Sequence, residues 1–225
     1  MLKIIKIKLS IIGLAIFIFG IIFTSWGLDD ISGLLAHPAR AALIFLLSLQ
    51  FIIFLVLPWA WMLSRLPKQP FDDDNMLIPF MGAMGVMLFL MISPFSDRNE
   101  WIPLWGGDML RYLGVLFLIL GVFLTVWAYV HIFKCLKTIE KNQDSYKLIT
   151  DGPYKYIRHP RDLGGILIFI AIPLVFLSSF GLTIAVISTA GLFERIAREE
   201  KILAEQFKEE WQKYTETTKC LIPWA

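Results

Sequence analysis

The chain has 225 residues, 57% of them hydrophobic and 18% charged, with a net charge of +2. A soluble core cannot hide that much apolar surface, so a water-soluble globule is excluded, as are a disordered chain and, with only two cysteines, a disulfide scaffold. The small net charge also excludes an electrostatic nucleic-acid binder, which leaves an integral membrane protein.

Lipid offers no partner to backbone groups, so apolar runs of membrane-spanning length are read as helices. Four are clear, over residues 9–23, 39–63, 76–91 and 110–133, and two shorter ones follow at 163–177 and 182–193. Lys3, Lys6 and Lys8 precede the first run, but no small-x-small cleavage site follows it, so it is expected to be an anchor and not a leader. The last two runs are expected to form a short re-entering helical hairpin turning at Ser178-Ser179-Phe180-Gly181, its second arm continuing into the charged tail. Eighteen Lys and Arg fall on one side of this layout and three on the other, Arg40, Arg98 and Arg111. The bias predicts about six crossings with both termini cytoplasmic. The expected fold is therefore all-α: a polytopic transmembrane bundle, with residues 1–133 as a four-helix region offering a possible acceptor wall. Residues 134–225 hold a loop, the hairpin and a C-terminal cytoplasmic amphipathic helix. Cys135 and Cys220 lie on the reducing side and are expected to stay free.

Several polar features read as ordinary structure. Asp72-Asp73-Asp74 lacks a second acidic cluster with which to hold a metal diphosphate and reads as a solvated loop with a helix cap. Met81, Met84, Met87 and Met91 mark a helix stripe, read as packing or as an adaptable wall for a lipid tail. Gly114, Gly121, Thr125 and Ala128 form a small-residue face for close helix contact. His37 and His131 are badly placed to act as paired haem ligands.

The informative region is the last third. Gly152-Pro153 forces a turn and Pro160 disfavours helix at His159, so the 148–160 segment is expected to be irregular at the membrane surface. It should offer free N–H groups beside Tyr154, Tyr156, Arg158 and His159. In the tail, Ile196, Leu203, Phe207, Trp211 and Tyr214 recur at helical spacing on one face. Arg195 and Glu199 are four apart, with Glu200 adjacent. The bland reading is an interfacial helix with surface ion pairs. The hairpin, however, returns the tail to the side on which Arg158-His159 emerges. A pocket of aromatic rings, cations and paired carboxylates suits a zwitterion bearing an amino acid head and a flat base, and S-adenosyl-L-methionine has that shape and charge pattern.

The run Leu148-x-Thr150-x-Gly152-Pro153-Tyr154-x-Tyr156-x-Arg158-His159-Pro160, with the later Arg195-x-x-x-Glu199-Glu200-x-x-Leu203 and Phe207-x-Glu209-Glu210-Trp211-x-x-Tyr214 before Pro223, resembles the isoprenylcysteine carboxyl methyltransferase and phospholipid methyltransferase superfamily. The resemblance covers residues 148–224. It implies an integral membrane methyltransferase that uses S-adenosyl-L-methionine and no metal, with a lipid-like or small apolar acceptor: an isoprenylcysteine carboxylate, a phospholipid amine or a thiol. Carried over, Gly152, Tyr154, Tyr156, Arg158, His159 and Pro160 line one cofactor wall, and Glu199 and Glu200 the other. Arg195 faces the acceptor and, with Glu199, is the catalytic candidate. The family usually has a tyrosine two residues after Arg-His-Pro, where Arg161-Asp162 stands here, and a glycine after the tail phenylalanine, where Lys208 stands. Asp162 is expected to add a charge at the pocket mouth. A reductase resembling the steroid 5-alpha type, binding a nicotinamide dinucleotide, would need more phosphate contacts than Lys155, Arg158 and Arg161 provide. A non-catalytic membrane subunit is the third reading.

Overall fold

A computed structural model describes residues 2–58, 62, 77–142 and 147–221. Seven α-helices carry the described chain: α1 (Leu2–Trp26), α2 (Ile31–Ala36), α3 (Pro38–Val56), α4 (Leu77–Arg98), α5 (Gly107–Asn142), α6 (Pro160–Val175) and α7 (Ser179–Thr217). Among the described residues there is no strand, only two isolated bridges. Among the described residues four helices are long and apolar enough to cross a membrane, within 5–26, 38–56, 107–139 and 179–217. The protein is thus an all-helical integral membrane protein. The acidic run Asp72-Asp73-Asp74 and the terminal Pro223 lie outside the described residues.

Local chemistry sets the helix ends. The His37 ring accepts from the Ala39 N–H at 3.2 Å, with Pro38 opening α3. α3 stops at Val56, short of the expected 63, because Pro58 favours the extended conformation that Leu57 adopts. α5 outruns its expected 110–133: its 36 residues span about 54 Å at 1.5 Å each.

α6 packs along α5 through the small-residue face. A Cβ on Gly114 would lie 2.9 Å from the Ala171 carbonyl oxygen, and one on Gly121 would lie 2.7 Å from that of Gly164. Without side chains there, backbones approach closely, which is the main source of helix adhesion in lipid. The methionine stripe turns the other way. Met84, Met87 and Met91 are exposed, whereas α4 buries Phe89, Leu90, Ser93 and Ser96, so the stripe does not pack within the bundle.

The hairpin turn falls at Phe176-Leu177-Ser178, slightly before its expected place. The Ser178 hydroxyl caps α7 by accepting from the Gly181 N–H at 3.0 Å, which draws Ser179 to Gly181 into the helix. The turn also reaches the α4–α5 loop. The Leu104 N–H donates to the Leu177 carbonyl at 2.7 Å, and Arg111 donates to that of Val175 at 2.6 Å. The hairpin therefore runs from one end of the bundle to the other and does not turn back partway.

The two ends differ. At the turn end, the Asp97 carboxylate, 6% exposed, accepts from Arg40 at 2.9 Å and from Arg111 at 2.8 and 2.6 Å. Arg40 also donates to the Leu34 and Gly33 carbonyls and lies 4.5 Å from the Trp26 ring centre. His37 and Asp108 pair at 3.0 Å. The opposite end carries the 151–162 segment and the tail.

Candidate functional site

The site begins with a turn that only glycine fits. Gly152 has φ +61°, and a Cβ there would sit 2.5 Å from the His131 ring. His131 and Asp151 are hydrogen-bonded at 2.9 Å, which holds the Asp151 carboxyl below the usual carboxylate range and ties the turn to α5. A short 3-10 turn, Gly152–Lys155, follows. The Tyr214 hydroxyl then donates to the Tyr154 carbonyl at 2.6 Å, docking the tail. Burial pushes the Tyr154 phenol above its ordinary range.

Five N–H groups of this segment are not free, contrary to the expectation from its prolines. Those of Tyr154, Tyr156 and Ile157 bond to carbonyls within the turn. The Arg158 and His159 N–H groups donate to the Lys219 and Cys220 carbonyls at 2.9 and 3.1 Å. The tail pairs alongside the segment, because buried backbone donors must find acceptors. Pro160, which has no N–H to satisfy, opens α6.

Side chains from three elements converge here. The Glu200 carboxylate receives Arg158 Nε at 2.8 Å and lies 3.1 Å from His159 Nε2. Arg158 also donates to the Thr218 carbonyl and stands 5.8 Å from the Trp211 ring centre. Arg161 bridges Asp162 and Glu199, each at 3.4 Å. Arg195 donates to the other Asp162 oxygen, Oδ1. His159 Nδ1 lies 3.8 Å from Asp162 Oδ2. Burial, with the Glu200 charge nearby, pushes the Cys220 thiol up to about 11.

The structure thus brings together Arg158, His159, Glu199, Glu200 and Arg195, with Gly152, Tyr154 and Pro160 behind them. Tyr156 points outward, 61% exposed. Asp162 is not a charge at an open mouth: it is 5% exposed and sits among two arginines and an imidazole. Sequence reasoning gave Arg161 no place in this network and missed the tail carbonyls and the role of His131. The three-residue step from His159 to Asp162 on a helix start was the available signal for the buried pairing.

The tail face is turned inward: Ile196, Trp211 and Tyr214 are buried, and Leu203 and Phe207 half-buried. Lys208, standing where the resemblance expects glycine, has φ 45° and ψ −113° and breaks the helix. Such a backbone conformation favours glycine.

Potential ligand atoms of His131, Cys135 and Asp151 lie within 4.8 Å of one another, as do those of His159, Glu200 and Cys220, and of His159, Asp162 and Glu199. Their hydrogen bonds and ion pairs give the first and third groups, and the His159–Glu200 pair, a structural role without an ion. Toward an amino acid zwitterion the cluster offers the partly exposed carboxylates of Glu199 and Glu200, the Arg158 guanidinium and the Trp211 ring beside it. That donor set fits S-adenosyl-L-methionine, whose ammonium and sulfonium seek carboxylates and whose carboxylate seeks a guanidinium.

The sequence model of the phospholipid methyltransferase family matches residues 109–210. That stretch runs from α5 through the site into α7. Methanethiol S-methyltransferase 1 of Bradyrhizobium diazoefficiens is 38% identical over 71 residues, covering 32% of this chain and 24% of the relative. The chain therefore spans about a quarter of that protein's length. No solved structure matches the chain.

Proposed function

We propose that the chain is an S-adenosyl-L-methionine-dependent membrane methyltransferase acting on a lipid-like or small apolar acceptor at the cytoplasmic face. The observation that carries this reading is the convergence of Arg158, His159 and Glu200, 41 residues apart in sequence between His159 and Glu200, inside the stretch that matches the family. The thiol named for the bacterial relative makes a thiol one candidate acceptor here.

On this reading the bundle crosses the membrane six times with both termini in the cytoplasm. Residues 1–133 supply the acceptor wall, and residues 134–225 the donor site. When bound, the donor supplies an activated methyl group on a sulfonium. Arg158 holds its carboxylate, Glu199 and Glu200 hold its positive groups, and Tyr154 and Trp211 flank it. Arg195 and Glu199 face the acceptor. Alignment of donor and acceptor for in-line displacement then supplies most of the rate.

Calorimetry of S-adenosyl-L-methionine binding to the detergent-purified protein tests this. Micromolar-range binding by wild type, lost in Arg158→Ala and Glu199→Ala variants, is expected. Folded wild-type protein that binds no donor, or that binds a nicotinamide dinucleotide instead, contradicts it.

A further inference from the structure

We propose that Asp162 neutralises Arg195, so that the site takes an acceptor uncharged at its reacting atom, a thiol, and rejects a carboxylate. This rests on the methyltransferase reading and adds the acceptor's charge to it.

The argument is one of charge accounting. Arg158, Arg161 and Arg195 face Glu200, Glu199 and Asp162, three positive against three negative charges, and every one of the six is paired within the cluster. Arg195 is the most open of the three arginines, its side chain 47% exposed against 12% for Arg158 and 28% for Arg161, and the one that the proposed function turns toward the acceptor. It is also held by the most buried carboxylate, whose Oδ1 it occupies while Arg161 and His159 face Oδ2. An anionic acceptor seeking Arg195 would have to break that pair and leave a buried carboxylate one cation short, which is costly. A neutral thiol makes no such demand.

The step balances. The acceptor sulfur forms a bond to the methyl carbon as the donor's carbon–sulfonium bond breaks, its electron pair staying on the departing sulfur, which becomes a neutral thioether. The thiol proton passes to the Glu199 carboxylate, whose ion-pair partner Arg161 lies at 3.4 Å, and from there to water. Asp162 is a positioning residue in this account, acting through Arg195.

An alkanethiol and an alkanoate with the same tail, each offered with S-adenosyl-L-methionine, provide the test. Wild type is expected to methylate the thiol and leave the alkanoate. In D162N the freed Arg195 should raise kcat/KM for the alkanoate at least about tenfold above the wild-type background, the scale of one charge-assisted contact. Alkanoate binding, measured with S-adenosylhomocysteine filling the donor site, should strengthen in parallel. D162S serves if D162N does not fold. Wild type that methylates the alkanoate as well as the thiol overturns the proposal, as do unchanged alkanoate methylation and binding in both folded variants. Both results leave the methyltransferase reading standing. Absence of donor binding overturns that reading and this inference with it.

Discussion

Both ends of the bundle carry arginines on carboxylates, and the difference between them separates structure from function. At the turn end, Asp97 accepts from Arg40 and Arg111 at 2.6–2.9 Å, and both arginines also donate to backbone carbonyls. Carboxylate and guanidiniums alike are nearly closed to solvent. Such a network is saturated: it joins α3, α4, α5 and α6 and has nothing left to offer a ligand. At the opposite end the pairs of Arg161 stretch to 3.4 Å, and Arg195, Glu199 and Glu200 stay partly open. The same residue types there form a set of contacts that a ligand can enter and exchange. Closure of the shell, not the presence of ion pairs, distinguishes the end proposed to bind from the end that only holds the helices together.

Breaking the closed end should have the largest effect. Asp97→Asn leaves two buried arginines short of their counter-ion and is expected to cost about 3–5 kcal/mol, read as a large drop in thermal unfolding temperature in detergent. Donor affinity of the protein that remains folded should not change. Between the ends, Gly164→Ala probes the α5–α6 seam. Its Cβ would stand 2.4 Å from Thr125 Oγ1 and 2.8 Å from the Gly121 carbonyl oxygen, so a loss of about 1–3 kcal/mol is expected, measured in the same melt.

At the open end, Glu200→Gln should reverse the pattern. Arg158 and His159 lose their shared carboxylate, and donor affinity is expected to fall by about tenfold, while the melting temperature moves less than in Asp97→Asn. Equal stability losses at both ends would erase the distinction. The smallest effect is a gain. Lys208→Gly relieves a backbone conformation costing about 1–3 kcal/mol for a side-chain-bearing residue, less the roughly 0.5–1 kcal/mol that glycine loses in ordering. A net stabilisation of about 1 kcal/mol should appear as a higher melting temperature, and a lower one would show that the Lys208 side chain has a role at the break.

The open end was also the more legible in sequence. Gly152-Pro153, Arg158-His159-Pro160 and Glu199-Glu200 are local words, and the hairpin between them needed only apolar run length to place both on one side. Periodicity gave the tail face with Ile196, Trp211 and Tyr214 inward. What stayed hidden depends on partners distant in the chain. Nothing near Arg40 or Arg111 announces Asp97, and the three basic residues there served only to set orientation. The N–H groups of Arg158 and His159 looked free because their acceptors, Lys219 and Cys220, lie some sixty residues away and are backbone carbonyls, which carry no sequence signature. Asp162 looked like an intruding charge because the burial that makes it a counter-ion belongs to the packing of α6 against α7.

Ultraviolet cross-linking of labelled S-adenosyl-L-methionine to the detergent-purified protein, followed by peptide mapping, tests the central claim most directly. Label confined to peptides containing 151–162 and 195–220, and competed away by S-adenosylhomocysteine, is the predicted result. Label concentrated on the Asp97 end, or competed by a nicotinamide dinucleotide and not by S-adenosylhomocysteine, would contradict it.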